Sequence, residues 1–188
     1  MLSQIDQIFL LQLSRHTLEY FFETHNKLSM DTISIQSKIL LEKRGVFVTL
    51  TKKGDLRGCI GNLEPIQTIV ESVIDNTLAA AFYDFRFTPL DRSELKDIKI
   101  EISILDSPQK LNIQKPQEIV KFLEQNRPGV ILENRYYKAT FLPQVWEEIN
   151  SAQEFLESLS IKAGLNKDAW KDINTTLLIY NIQAFKEK

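Results

Sequence analysis

Apolar positions recur along this chain with two different periods, and the period changes from one segment to the next. Behind Ser3, a residue type that caps helices, Ile5, Ile8, Phe9, Leu13, His16 and Tyr20 follow at helical spacing. Leu11, Leu18 and Phe22 widen that stripe, which predicts a helix to about Thr24. Val46-Phe47-Val48-Thr49-Leu50, then Lys52-Lys53-Gly54-Asp55, then Leu56 to Gly61 reads as strand, turn, strand. Pro65 sits where proline is tolerated at a helix start. Ile66, Ile69, Val70, Val73, Ile74, Thr77, Leu78, Ala81 and Phe82 then form an apolar face, with Gln67, Glu71, Ser72 and Asp75 opposite.

Further along, Asp91-Arg92-Ser93-Glu94 has the form of a capping box opening a short helical turn. Ile98, Ile100, Ile102 and Ile104 alternate with Lys99, Glu101 and Ser103, a period of two that predicts a strand with one isoleucine face. Pro116 opens a helix to about Gln125, and Pro128-Gly129 stops the chain ahead of a second hairpin, Val130 to Glu133 and Tyr136 to Leu142, turning at Asn134-Arg135. Pro143 starts a short helix, Ser151 caps another that ends near Ala163-Gly164, and Thr176 to Ala184 reads as a final strand. Helices and hairpins do not alternate as in a doubly wound sheet, so the expected class is α+β, a mainly antiparallel or mixed sheet with flanking helices. Nothing in the sequence argues for cutting residues 1–188 into separate domains: there is no internal repeat, low-complexity stretch or Gly/Ser linker.

Composition narrows the function classes. Twenty-three Lys plus Arg against twenty-five Asp plus Glu gives a net charge of −2, with no basic run interleaved with aromatics, so nucleic-acid recognition ranks last. One cysteine excludes an internal disulfide and any metal site built from several thiolates. The apolar runs fall far short of the roughly 18 residues of a membrane span. No signal-peptide pattern stands at the N-terminus, and the expected location is the cytoplasm. No motif calls for a cofactor or a metal.

Three of the six glycines, the only cysteine and an arginine fall within Gly54-Asp55-Leu56-Arg57-Gly58-Cys59-Ile60-Gly61. A phosphate cradle would need a run of N–H groups leading into a helix N-terminus, whereas Glu64 brings negative charge there. Gly54 fits a turn, and Gly58 and Gly61 fit a bulge or a close backbone approach. Unbroken alternation places Arg57 and Cys59 on one strand face, guanidinium beside thiol. A free thiol titrates near pH 8.5 and a neighbouring cation favours its thiolate, while the common role of a lone cysteine is that of a small buried hydrophobe. Nine residues apart on a continuous helix, His16 and His25 point to opposite sides. Glu101 faces away from the isoleucines. It needs a partner such as Arg57, Arg86 or Lys138 if that side is buried, and none if it is solvated. Asp84 and Arg86 form an acid–base pair two residues apart, and Lys138 and Thr140 share a strand face.

The hexapeptide Leu56-Arg57-Gly58-Cys59-Ile60-Gly61 resembles the LRGCIG signature of the AMMECR domain family, which includes the AmmeMemoRadiSam system protein A group. Gly45 to Leu50, Asn76 to Ala81, Asp84 to Leu90, Ile100 to Leu105, Ala139 to Trp146 and Lys162 to Leu165 resemble further family segments in family order, across about residues 9–182. The resemblance implies an α+β fold with a larger and a smaller lobe and a groove between them, towards which the hexapeptide is placed. It implies no assigned reaction. It also suggests Memo-like and radical SAM proteins as partners. This chain lacks the cysteines to hold an iron–sulfur cluster of its own. Glu147-Glu148-Ile149-Asn150 departs from the acidic, tryptophan-bearing loop of many relatives, so neither glutamate is equated with a family acid.

Two readings follow. In the first, the chain is a cysteine-dependent enzyme acting on a small substrate, with Cys59, Glu101 and Lys138 as catalytic groups and Arg57, Gly58, Gly61, Asp84 and Arg86 as substrate-binding residues. In the second, it is a non-catalytic module whose arginines clamp a peptide, a small anion or a partner protein.

Overall fold

A computed structural model describes all residues 1–188. The chain divides into two compact units, residues 1–106 with 183–188, and residues 107–182. Each has its own hydrophobic core.

In the first unit, helix α1 (Gln4–Thr24) opens with a capping box in which Ser3 and Asp6 satisfy each other's backbone N–H groups. Strands β1 (Val46–Lys52) and β2 (Asp55–Asn62) form the expected hairpin, followed by α2 (Ile69–Phe82) and β3 (Ile98–Leu105). With β8 (Ile182–Lys186) these strands make a four-stranded sheet in the order β2-β1-β3-β8. The hairpin turns on Lys53 and Gly54, both at positive φ (55° and 95°), as a two-residue turn matching strand twist requires. Val46, Val48 and Leu50 of β1 and the four isoleucines of β3 face the helices and are buried.

The start of α2 differs from expectation. The helix begins at Ile69 rather than at Pro65, because the Thr68 hydroxyl accepts the Glu71 N–H while Glu71 accepts the Thr68 N–H. Residues ahead of it are held extended by a bridge between Thr68 and Lys43 and by the bond from Ile69 N to Glu42 O. The capping box at Asp91 and Glu94 forms as expected, on a 3-10 turn.

In the second unit, β4 (Gln109–Lys110), β5 (Gly129–Asn134), β6 (Tyr137–Phe141) and β7 (Thr175–Tyr180) form an antiparallel sheet in the order β4-β7-β5-β6. Helices α3 (Pro116–Asn126) and α4 (Ala152–Lys162) complete it. Its core centres on Trp146 stacked on Phe155 at 4.0 Å, with the Trp146 indole N–H donated to Pro128 O. The expected single last strand is two strands: β7 belongs to this sheet and β8 to the sheet of the first unit, with Asn181 between them. No helix is long and apolar enough to cross a membrane.

Candidate functional site

Strand β2 lies at a sheet edge, and its pairing with β1 slips at one point. Leu50 stands opposite Gly58 while Thr51 stands opposite Leu56, so Arg57 is the extra residue of a β-bulge. The slip decides which way the following side chains point. Counted without a bulge from the Lys52–Asp55 pair, Cys59 would face Val48 and enter the core. With the bulge, Cys59 stands opposite Thr49 on the other face.

Gly58 consequently takes the core side, where α2 lies so close that a Cβ would come within 2.1 Å of Ala80 O. At Gly61 a Cβ would meet the Phe47 ring and Val46 O at 2.4 Å. Both glycines admit close packing, and neither has a side chain to offer a substrate.

The bulge also corrects the expected neighbourhood of Arg57 and Cys59. Arg57 does not hydrogen-bond at the thiol; its Nε and Nη2 grip Glu94 at 3.1 and 2.9 Å, and its Nη1 and Nη2 donate to Thr88 O and Pro89 O. Glu94 also receives Lys52, and these cations, Arg57 foremost, hold its carboxyl down at about 2.

The arginine that reaches Cys59 is Arg86. On the outer edge of β2 no strand pairs with Cys59; instead the Asp84 carboxylate accepts the Cys59 N–H at 2.9 Å and Arg86 Nη2 donates to Cys59 O at 3.2 Å. Arg86 Nε and Nη2 fork onto the Asp84 oxygens at 2.9 and 2.7 Å. Asp84 is buried, and the hydrogen bonds from Arg86 hold its carboxyl far below the usual carboxylate range. The same pairing raises Arg86, to which Cys59 adds a smaller contribution.

Because the N–H and C=O of Cys59 both point outward, the Cys59–Thr49 couple is a non-hydrogen-bonded pair, the kind in which side chains approach most closely. Thr49 Oγ1 donates to Cys59 Sγ at 3.2 Å. Across β1, Thr49 is in turn opposite Glu101. Cys59, Thr49 and Glu101 thus form one row across three strands, all half-buried. The Glu101 carboxylate has no hydrogen-bond or ion-pair partner, so neither Arg57 nor Arg86 neutralises it. Thr49 was not among the residues expected from sequence; counting register from the Lys53-Gly54 turn with the bulge included is the signal that finds it.

Lys138 is in the second unit, on β6 opposite Glu133, with which it forms an ion pair at 3.0 Å. Thr140 of the same strand meets the Tyr180 hydroxyl at 2.9 Å, and burial pushes the Tyr180 phenol up. His16 is exposed against Tyr20 on α1, and His25 is the left-handed residue that ends this helix. Glu147 and Glu148 are exposed. No three His, Cys, Asp or Glu side chains converge in a way that could hold a metal ion.

Fold and site together define a two-unit α+β protein whose LRGCIG segment is a bulged edge strand presenting a single thiol. The chain belongs to the AMMECR1 family, whose model matches residues 11–185. It is 39% identical over 188 residues to protein MK0488 of Methanopyrus kandleri, covering 96% of this chain and 87% of that one. A Methanosarcina mazei protein is 36% identical over 190 residues, covering 100% and 94%. The crystal structure of the uncharacterized protein PH0010 from Pyrococcus horikoshii superposes with a TM-score of 0.77 at 33% identity, covering 96% of this chain and 90% of that one.

Proposed function

We propose that the first unit is a cysteine-dependent enzyme acting on a small substrate that lies across β1, with Cys59 as nucleophile at one end and Glu101 as the proton-transfer group at the other. The observation that carries this reading is the row Cys59–Thr49–Glu101, in which the middle hydroxyl donates to the sulfur and the far carboxylate has no partner. Neighbouring strands are about 4.8 Å apart, so thiol and carboxylate stand about two spacings from one another, room for a group of a few heavy atoms above Thr49. The Thr49 hydroxyl holds the sulfur beside that space, and the Arg86 guanidinium fixes the Cys59 backbone from the other side. The simplest balanced step is addition to a carbonyl. The Sγ–C bond forms as the C=O π pair moves onto oxygen; the thiol proton leaves to water, and Glu101, through a bridging water, supplies a proton to that oxygen.

Iodoacetamide labelling of Cys59 at pH 7 tests the arrangement in Thr49→Val and Glu101→Gln, with folding checked by circular dichroism. An ordinary hydrogen bond contributes about 1 kcal/mol, so losing the one that positions the sulfur in Thr49→Val is expected to slow labelling about fivefold. Glu101→Gln is expected to leave the sulfur's hydrogen bond in place and abolish turnover once a substrate is found. Labelling in Thr49→Val equal to that of the parent protein contradicts the proposal.

One observation favours a second reading, the binding module. Tyr83 and Phe85, either side of Asp84, are 75% and 95% exposed, as aromatic anchors for a partner would be. On that reading Cys59 is inert, and a Memo-like or radical SAM protein is the kind of partner to test.

A further inference from the structure

The Arg86 guanidinium keeps donors that its protein partners do not use. Of its five N–H groups, those on Nε and Nη2 go to the two Asp84 oxygens and to Cys59 O. Nη1 makes no hydrogen bond, and the side chain is 45% exposed. The guanidinium stands 5.5 Å from the Phe87 ring centroid, and with the Asp84 fork this fixes its plane. Arg57 differs: all three of its nitrogens are engaged and its side chain is 13% exposed. The two arginines that reach β2 therefore have different capacities. Arg57 is spent on the loop at 88–94, and Arg86 is held rigid with one edge open next to the thiol-bearing residue.

Resting on the enzyme reading above, we propose that the substrate of Cys59 carries a carboxylate that accepts a hydrogen bond from Arg86 Nη1, with its electrophilic carbon above the sulfur. Directed donors rather than net charge give the recognition, because Asp84 already balances the arginine. The other carboxylate of the site, Glu101, stands at the far end of the row, so the anionic end of such a substrate is directed to the Arg86 side. Phe85, exposed beside the clamp, offers an apolar surface to the body of the substrate.

Iodoacetate and iodoacetamide serve as probes, since they alkylate the same thiol and differ in carrying a carboxylate. Their rate ratio cancels the thiolate fraction, which is common to both. The ratio of iodoacetate to iodoacetamide in the folded protein is expected to exceed that of the urea-unfolded chain about tenfold. In Arg86→Lys it is expected to fall to within twofold of the unfolded value. In the parent protein, acetate at ionic strength matched with chloride is expected to slow iodoacetamide labelling, a readout that needs no variant. A folded ratio at or below the unfolded one, or no protection by acetate, overturns the carboxylate site and leaves the thiol reading standing. No labelling by either reagent before unfolding overturns the thiol reading itself, and this inference with it.

Discussion

The carboxylate of Asp84 accepts the backbone N–H of Cys59, 25 residues away, and with Arg86 at the Cys59 carbonyl it does for an edge strand what a neighbouring strand would do. An edge strand otherwise exposes such groups to any pairing partner. Here the one residue whose outward pair is filled by two side chains is also the only cysteine.

That clamp makes stability sensitive to acid. Asp84 and Glu94 both titrate lower in the folded chain than their ordinary carboxylate values, so their stabilisation is present in full above about pH 5. It is lost as the pH falls through 4 towards 2 and below. Asp84→Asn is expected to cost about 2 kcal/mol at pH 7 and to flatten the acid side of the stability profile, measured by urea unfolding between pH 3 and 7.

Gly58 is expected to tolerate nothing larger. Gly58→Ala drives a Cβ into Ala80 O of α2 and is expected to cost about 3 kcal/mol, the upper range for overpacking. Gly54→Ala meets no atom within 4 Å and suffers only from its φ of +95°, a cost of about 1 kcal/mol. Thermal unfolding of the two variants checks the order.

Arg57 and Arg86 are expected to separate by phenotype. Arg57→Ala removes the fork on Glu94 and the bonds to residues 88 and 89, so its main effect is a loss of about 2 kcal/mol of stability. Arg86→Ala is expected to change the labelling rate of folded Cys59 more than Arg57→Ala does. Parallel melting and iodoacetamide rates for the two proteins measure the difference.

Much of the fold is legible because the residues repeat the period of their element. The four isoleucines of β3, the Lys53-Gly54 hairpin and the Asp91–Glu94 box all behave as local rules require. The start of α2 is misread because proline marks helix starts, whereas here a threonine three residues later makes the cap. The last strand is misread because Thr175 to Lys186 carries no Gly or Pro where the chain leaves one sheet for the other.

The site was legible as a segment and not as a geometry. Strict alternation puts Arg57 with Cys59, but one bulge residue changes the phase, gives Arg57 to Glu94 and brings Thr49 to the sulfur. The glycines point to a bulge or a close approach in this segment, but which residue is extra depends on the pairing with β1, where Arg57 stands opposite no residue.

Everything proposed for the first unit requires that the fold present Cys59 as a reactive thiol. Because the chain has a single cysteine, the most direct test is intact-mass measurement of iodoacetamide labelling at pH 7, in the folded protein and in urea. One label per chain is expected, added faster to the folded protein than to the unfolded one. A folded protein that takes no label until it unfolds would contradict it and make Cys59 a packing residue.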